Sequence, residues 1–215
     1  MFQTKNTKIM AVNNANWKKW IPILEKEVEK SLSKANPENR EGHGLDHMRR
    51  VWNTCLHLGN QLGADIEALV AAAFLHDLGI HQKLSPEHGA LSAELAEPIL
   101  ERIHFPEEKK AKTLDAIRVH DITFSNKDRN TLESRILYDA DKSESFGVIG
   151  ILRYIVILYN RQPVDYMLED LEKRWNGLCL PETKAYAKSD YEYTRNYLQK
   201  LKRAMNMDKN FIQSN

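Results

Sequence analysis

Residues 66–79 read IEALVAAAFLHDLG, and the interpretation of the chain starts from this stretch. Asp65 precedes it, and aspartate is a common N-cap of helices, whereas glycine, as at Gly79, is a common residue at helix ends. The intervening residues are mostly apolar, which predicts a helix that contacts the core. His76 and Asp77 follow it directly. Ionisable groups at the end of a buried helix are costly unless they are paired or bind a metal ion, so this dipeptide is the first candidate site.

Outward from this stretch, apolar residues recur every three or four positions, which is typical of amphipathic helices. No segment alternates with a period of two, so no sheet is predicted. The sequence therefore predicts a single all-α domain over residues 1–215, in which the almost wholly apolar segment from Gly147 to Asn160 is the central buried helix. Pro98 predicts a kink or break. The other predicted helices cover residues 17–32, 47–62, 85–104, 106–120 and 182–205, one begins at Thr131 and holds Asp141, and a further segment starts at Pro163.

Composition excludes several classes of protein. The chain has 215 residues, with 31 Lys and Arg against 30 Asp and Glu, and this near balance argues against a nucleic-acid polymer or a membrane surface as partner. The longest apolar run, Gly147 to Tyr159, is interrupted by Arg153 and is shorter than the roughly 20 residues of a membrane span. Residues 1–16 lack an apolar signal core, so a cytoplasmic location is expected.

Two further helices direct an ionisable side chain inward. His47 lies on the apolar face of one helix, and Asp141 lies one turn beyond Leu137 on the core side of another. We expect these residues to meet His76 and Asp77. Two imidazoles and two carboxylates suit a divalent ion that keeps positions for water, and such an ion acidifies water and polarises phosphoryl oxygens. The alternative for any one histidine is a satisfied core residue, but the set of four favours a metal site.

The order His, then His-Asp, then a distant Asp resembles the HD-domain superfamily of metal-dependent phosphohydrolases. Four segments resemble successive parts of its small stand-alone bacterial members, over roughly residues 20–205. They are GLDHMRRV (44–51), AAAFLHDLG (71–79), DADKSESFGVIGILR (139–153) and LPETKAYAK (180–188). Relatives usually continue the last ligand motif as Asp-Arg/Lys-Leu-Asp, whereas this chain reads Asp141-Lys142-Ser143-Glu144. That difference bears on the substrate more than on the metal.

The resemblance implies an all-helical fold with a divalent ion in a cleft between helices, and hydrolysis of phosphoester or phosphoanhydride bonds, often in nucleotides. The ligands it implies are His47, His76, Asp77 and Asp141. Composition and ligand type leave the ion open among Mn, Mg, Fe, Co, Ni and Zn. They also leave open the number of ions, the bond cleaved and a homodimer through the C-terminal helix.

Other residues are predicted to act on the substrate. Asp77 would orient the attacking water and accept its proton. Lys142 and Arg50 would approach a phosphate, because they lie beside a ligand or one turn beyond it. His81 and His88 would bind phosphate or protonate the leaving oxygen, and the alternatives are a second ion, with His120 as a further candidate ligand, or a purely structural role. No chemical role is predicted for the remaining histidines, which are His43, His57 and His104.

The leading hypothesis is therefore a metal-dependent hydrolase of small phosphorylated compounds, with nucleotides as the expected substrates. Both pyrophosphate release and phosphate release remain open. Two alternatives are a signalling-nucleotide phosphodiesterase and a non-catalytic module that binds a metal or a nucleotide. A helical interaction protein with incidental histidines is the third, and it predicts no metal.

Overall fold

The computed structural model describes residues 15–121, 123–158 and 162–213, and these residues form helices and connecting turns without a strand. A 3₁₀ turn, Ala15–Lys19, precedes the first α-helix, and a π-helical segment, Tyr154–Leu158, follows the ninth. The all-α prediction is confirmed. The α-helices are α1 Trp20–Lys34, α2 Pro37–Arg40, α3 Leu45–Leu62, α4 Ile66–Leu75, α5 Leu78–Gln82, α6 Gly89–Arg102, α7 Glu107–Arg118, α8 Leu132–Ser143, α9 Gly147–Arg153, α10 Val164–Gly177 and α11 Pro181–Gln213.

Helix α4 is the centre of the fold. Every residue from Ala68 to Leu75 is buried, because α1, α3, α7 and α8 surround the helix. A helix that is apolar on all sides is stable only in such a position. The Asp65 carboxylate accepts hydrogen bonds from the backbone N–H groups of Glu67 and Ala68, both at 3.2 Å, as the predicted N-cap. The last turn of α4 therefore delivers His76 and Asp77 to the interior at a fixed position.

The prediction of a central buried helix from Gly147 to Asn160 is wrong. The segment divides into α9 and the π-helix, and Asn160 lies outside the described residues. Val148 is 69% exposed and Leu152 is 56% exposed. Gly150 and Tyr154 are buried on the opposite face. Because α4 already occupies the centre, this equally apolar segment packs on one face only.

Two details of α6 also differ from the sequence prediction. The helix begins at Gly89 and not at Ser85-Pro86, because the Asp121 carboxylate accepts the N–H of Gly89 at 2.9 Å. It also continues through Pro98 without a break. Gly79 lets α5 approach this region, since a Cβ there would lie 2.6 Å from the backbone oxygen of His88. The close approach brings the loop before α6 against the end of α4.

A second, smaller core lies beside the first, between α9, α10 and α11. Its centre includes Met167, Leu171 and Leu198, and the Trp175 and Tyr191 rings stack with centroids 4.1 Å apart. This layer supplies the wall that faces the end of α4. Among the described helices, none combines the length and the apolar character that crossing a bilayer requires.

Candidate metal centre

The four predicted ligands converge at the end of α4. His47 comes from the first turn of α3, and Asp141 comes from the last turn of α8. His47 Nε2 lies 3.4 Å from both Asp77 Oδ2 and Asp141 Oδ1. His76 Nε2 lies 3.3 Å from Asp77 Oδ2 and 3.9 Å from Asp141 Oδ1. Atoms that share one ion at bond lengths of about 2.0–2.2 Å have separations close to these.

Hydrogen bonds within the protein do not satisfy all the polar atoms of this cluster. The Nε2 atoms of His47 and His76 are buried and have no hydrogen-bond partner. His76 Nδ1 donates to the backbone oxygen of Ala73 at 2.9 Å, so in the neutral imidazole the Nε2 lone pair faces the carboxylates. A buried imidazole lone pair directed at two carboxylates, with a second buried Nε2 beside it, fits a divalent ion. The cluster can therefore hold such an ion.

The pKa values of the cluster show the same attraction for positive charge. Burial alone would lower the pKa of His47, but the carboxylates of Asp141, Asp77 and Glu144 outweigh burial and raise it to about 10. Burial would raise the pKa of Asp77, but the neighbouring histidines hold it well below its usual value. Metal binding at such a site releases protons, because the ligands must be deprotonated.

Two more histidines face the other oxygen of Asp77. His88 Nε2 lies 3.1 Å and His120 Nε2 lies 3.6 Å from Asp77 Oδ1, and the two Nε2 atoms are 2.9 Å apart. Their Nδ1 atoms contact the backbone oxygens of Ser85 and Ile117, at 2.9 and 2.6 Å. Because each Nδ1–H is used in this way, one Nε2 must carry a second proton to join the pair.

The electrostatic environment favours His88 over His120 as the carrier of this second proton. Burial would lower the pKa of His88, but the Asp77 carboxylate outweighs it and raises the pKa. Burial and the neighbouring histidines lower the pKa of His120 to about 4, despite its contact with Asp77. His120 can also join His76 and Asp77 as a group with metal-binding geometry.

The sequence analysis missed His43. Its Nδ1 lies 2.7 Å from Asp77 Oδ2, and burial lowers the pKa of the ring. Gly42, with a φ of 79°, turns the chain so that His43 faces the cluster. His43 stands in a loop, where no periodic pattern identifies inward-facing residues, and its only signal was its position just before the motif that contains His47.

A cavity of about 310 Å³ opens from the ligand cluster, and we call it the metal cavity. Lys142 is buried beside it, with Nζ 2.6 Å from Asp141 Oδ2. Arg153 Nη1 donates to the backbone oxygen of Gly42 at 2.6 Å, and no described carboxylate forms an ion pair with Arg153. The other residues that line the metal cavity include Ile80, Leu84, Pro86, His88, Tyr154, Asp170 and Arg174.

The structure does not bring His81 or Arg50 into this cavity. His81 Nδ1 contacts Ser31 Oγ at 3.0 Å and Nε2 contacts the backbone oxygen of His43 at 2.9 Å, so both ring nitrogens are engaged on the far side of α5. Arg50 Nε donates to Glu144 Oε2 at 2.6 Å, and this carboxylate oxygen lies 3.5 Å from His47 Nδ1. Arg50 therefore orients Glu144 behind His47, and neither Arg50 nor His81 lines the metal cavity, so their substrate roles stay predictions.

Comparison with known proteins agrees with this geometry. The family model of the HD domain matches residues 44–145, which include all four predicted ligands. No curated protein matches the chain.

Solved structures with the same fold cover most of the chain. A protein of Lactobacillus plantarum is 20% identical, with a TM-score of 0.66 over 88% of this chain and 98% of its own. A predicted HD superfamily hydrolase from an uncultured Thermotogales bacterium is 20% identical, with a TM-score of 0.62 over 85% and 91%. YpgQ of Bacillus subtilis, in complex with ADP, is 17% identical, with a TM-score of 0.65 over 87% and 96%. These likenesses extend over the second core as well as the HD domain.

The family match includes the histidine and aspartate cluster, and the described residues of that cluster have the donor set and spacing for a divalent ion. Residues 44–145 are an HD domain, the domain of a superfamily of metal-dependent hydrolases.

Proposed function

We propose that this protein is a metal-dependent phosphohydrolase that acts on nucleotides, with its ion held by His47, His76, Asp77 and Asp141. The observation that carries the proposal is Arg153. Its guanidinium faces the metal cavity beside the ligand cluster, forms no ion pair with a carboxylate of the described residues, and is affected by Asp141, Glu144 and Asp77 only at longer range. A cation in that position recruits an anion, and a phosphate between Arg153 and the cluster satisfies both.

The residues around the cluster can divide the work of phosphoryl transfer. A bound divalent ion supplies acidified water and polarises a phosphoryl oxygen. Lys142 and Arg153 stabilise the charge that develops on the phosphoryl oxygens. Asp77 orients the water and accepts its proton. His88, whose pKa is raised, is the candidate donor of a proton to the leaving oxygen.

The shape of the metal cavity favours a nucleotide over inorganic phosphate. Ile80, Leu84 and Pro86 give it an apolar wall away from the carboxylates. Its volume of about 310 Å³ lies near the lower end of the range for small-molecule sites, about 300–1,000 Å³. The ADP complex of the Bacillus subtilis protein supports the same substrate class.

The role of the His88–His120 pair separates two versions of the proposal. In the first, one ion is present and His88 acts as the proton donor. In the second, His120 with His76 and Asp77 holds a further ion. The number of metal ions bound per chain at saturation distinguishes them, with one expected.

The test is a turnover screen of the chelator-stripped protein, reloaded singly with Mn, Mg, Co, Ni or Zn. Release of phosphate and pyrophosphate is measured from nucleoside mono-, di- and triphosphates. We expect metal-dependent release that falls at least about a thousandfold in Asp77→Ala, since several kcal/mol of charge stabilisation is lost. Asp46→Ala is the matched control, because the Asp46 side chain is 84% exposed and lies beside His47 in sequence.

The outcomes are distinct. The released product identifies the bond that is cleaved. Bound metal without turnover of any nucleotide would overturn the proposal and favour a binding module. Absence of both metal and turnover would overturn the ligand assignment as well.

A further inference from the structure

A second cavity lies on the opposite side of α5 from the metal cavity, between α1, α5 and α6. Its volume is about 610 Å³. We call it the α5 cavity. Its lining includes Ser31, His81 and Gln82, and none of the four predicted ligands. The two cavities therefore share the short helix α5 as a wall but do not share their polar groups.

The α5 cavity carries excess positive charge. Lys30, Lys34 and Arg102 line it against a single carboxylate, Glu27. Glu27 is buried, and its two oxygens are already engaged, by Lys30 Nζ and Arg102 Nη2, each at 2.6 Å. Lys34 has no hydrogen bond or ion pair with any described residue. The cavity therefore has a net charge of about two positive units to offer an anionic ligand.

The rest of the lining is suited to an organic group. Leu78, Leu95 and Ile99 form an apolar wall, and the side-chain amides of Asn36 and Gln82 stand at its edge. Apolar walls combined with a few polar groups are typical of small-molecule sites, and the volume lies within their usual range. A ligand with both a phosphate and a ring or alkyl part fits this combination better than an inorganic ion does.

A chain of hydrogen bonds joins the α5 cavity to the metal centre. Ser31 Oγ contacts His81 Nδ1, and His81 Nε2 contacts the backbone oxygen of His43. His43 Nδ1 in turn contacts Asp77 Oδ2 at 2.7 Å. A ligand that displaces Ser31 or His81 would shift the His43 backbone and with it the ring that orients Asp77.

We propose that the α5 cavity is a regulatory site for a phosphorylated small molecule, held by Lys30, Lys34 and Arg102 and packed against Leu95 and Ile99. Binding of a ligand in the α5 cavity changes the affinity of the metal centre for its divalent ion, through His81 and His43. The binding part stands independently of the proposed function, whereas the coupling part rests on the proposed metal ligands.

Binding is tested by methyl NMR of the full-length, magnesium-loaded protein, because the methyl groups report each cavity separately. Ile99 and Leu95 line the α5 cavity, and Ile80 lines the metal cavity. The probe is the phosphonate analogue of AMP, in which carbon replaces the ester oxygen, so that hydrolysis does not consume it. We expect the Ile99 and Leu95 signals to shift along one saturable curve.

The variants and companion ligands decide how the probe is held. Lys34→Glu is expected to weaken the Ile99 curve about tenfold or more, which corresponds to one lost charge-assisted contact. Lys26→Glu is the matched control, because Lys26 is exposed on the same helix outside the cavity, and it should leave the curve unchanged. Adenosine and inorganic phosphate alone should each bind at least about tenfold more weakly than the probe.

Several results would overturn the binding part. Shifts confined to Ile80 would place the probe in the metal cavity only. Equal binding of adenosine would exclude recognition of the phosphate, and equal binding of inorganic phosphate would exclude the apolar wall. An unchanged curve in Lys34→Glu would exclude the assigned cations.

Coupling is tested by the affinity of Mn²⁺ with and without a saturating concentration of the probe. Because linkage is reciprocal, a site that senses the metal centre must change that affinity. We expect a change of about fivefold or more in the wild type that disappears in Lys34→Glu. The same affinity in both conditions would overturn the coupling and leave the binding site standing. A change of equal size in Lys34→Glu would assign the effect to the metal cavity.

Discussion

The two oxygens of the Asp77 carboxylate face histidines with different hydrogen bonding. On the Oδ2 side, His47 and His76 have buried Nε2 atoms without a hydrogen-bond partner. On the Oδ1 side, the Nε2 atoms of His88 and His120 face each other at 2.9 Å. The two sides offer the same residue type at similar burial, yet only the first leaves its ring nitrogens unsatisfied.

The difference lies in the carboxylates. Asp141 Oδ1 adds a second negative group on the Oδ2 side, within 3.4 Å of His47 Nε2. On the Oδ1 side, Asp77 is the only carboxylate that forms an ion pair with His88 or His120 among the described residues. Two carboxylates favour a divalent cation, whereas one carboxylate is balanced by a single proton shared between two rings. The number of acids, more than the number of histidines, therefore decides where a metal ion is expected.

Matched substitutions at His76 and His120 give the largest expected contrast. Both side chains are fully buried, and both have Nδ1 in contact with the backbone oxygen three residues earlier. Asparagine keeps a group near Nδ1 and removes Nε2. We expect His76→Asn to weaken Mn²⁺ binding more than about a hundredfold, and His120→Asn by no more than about tenfold, as for an outer-shell partner. Calorimetric titration of each variant measures both values.

Measurements of kcat test the contrast between His76→Asn and His120→Asn independently. His120→Asn is expected to lower kcat by about a hundredfold while metal remains bound, because the His88 proton loses its partner. Equal loss of metal in both variants, together with two ions per chain in the wild type, would show that the two sides of Asp77 are equivalent.

The sequence predicted the Oδ2 side more completely than the Oδ1 side, and the reason is local structure. His47, His76 and Asp141 lie on or at the end of regular helices, where apolar periodicity shows which residues face inward. His88 and His120 lie just outside α6 and α7, and their proximity depends on loop geometry. His88 was predicted to bind phosphate or donate a proton, and that role stays a prediction. His43 depends on the positive φ of Gly42, which no periodic pattern contains.

Two other sequence predictions, for residues 147–160 and for Arg153, were wrong for the same reason. The prediction that residues 147–160 form the central helix rested on their apolar composition, but α4 is also apolar and already fills the centre. Arg153 was taken as an interruption of an apolar run, whereas it is the residue that this segment directs into the metal cavity. Composition does not decide which of two apolar segments is buried on all sides, because that depends on which neighbours enclose it.

Metal removal is expected to have the next largest effect, on thermal stability. A ligand present at a hundred times its Kd stabilises the folded state by about 2.7 kcal/mol. For a chain of this length that corresponds to a rise in Tm of about 5–10 °C when Mn²⁺ is added to the stripped protein. The rise should vanish in His76→Asn and persist in His120→Asn, as followed by circular dichroism. A rise that persists in His76→Asn would place the stabilising ion outside the Oδ2 side.

The smallest expected effect concerns Asp121, whose carboxylate fixes the backbone next to His88 and His120. Its Oδ2 accepts the N–H of Gly89 beside His88, and its Oδ1 accepts the N–H of Thr123, both at 2.9 Å. Asp121→Asn puts an amide donor in place of one of these acceptor oxygens. We expect a loss of about 1–3 kcal/mol of folding free energy, measured by urea denaturation, because one of the two backbone donors, of which Gly89 N–H is buried, loses its acceptor.

Asp128→Asn is the control for this last prediction. Asp128 accepts equivalent bonds from the N–H and Oγ of Ser125, but it is exposed, so its loss should cost no more than about 0.5 kcal/mol. Asp121→Asn should also lower kcat while Mn²⁺ affinity stays within about tenfold, since the Oδ2 side does not depend on it. If stability falls and kcat does not, then Asp121 has a structural role only, and the spacing of His88 and His120 does not limit the reaction.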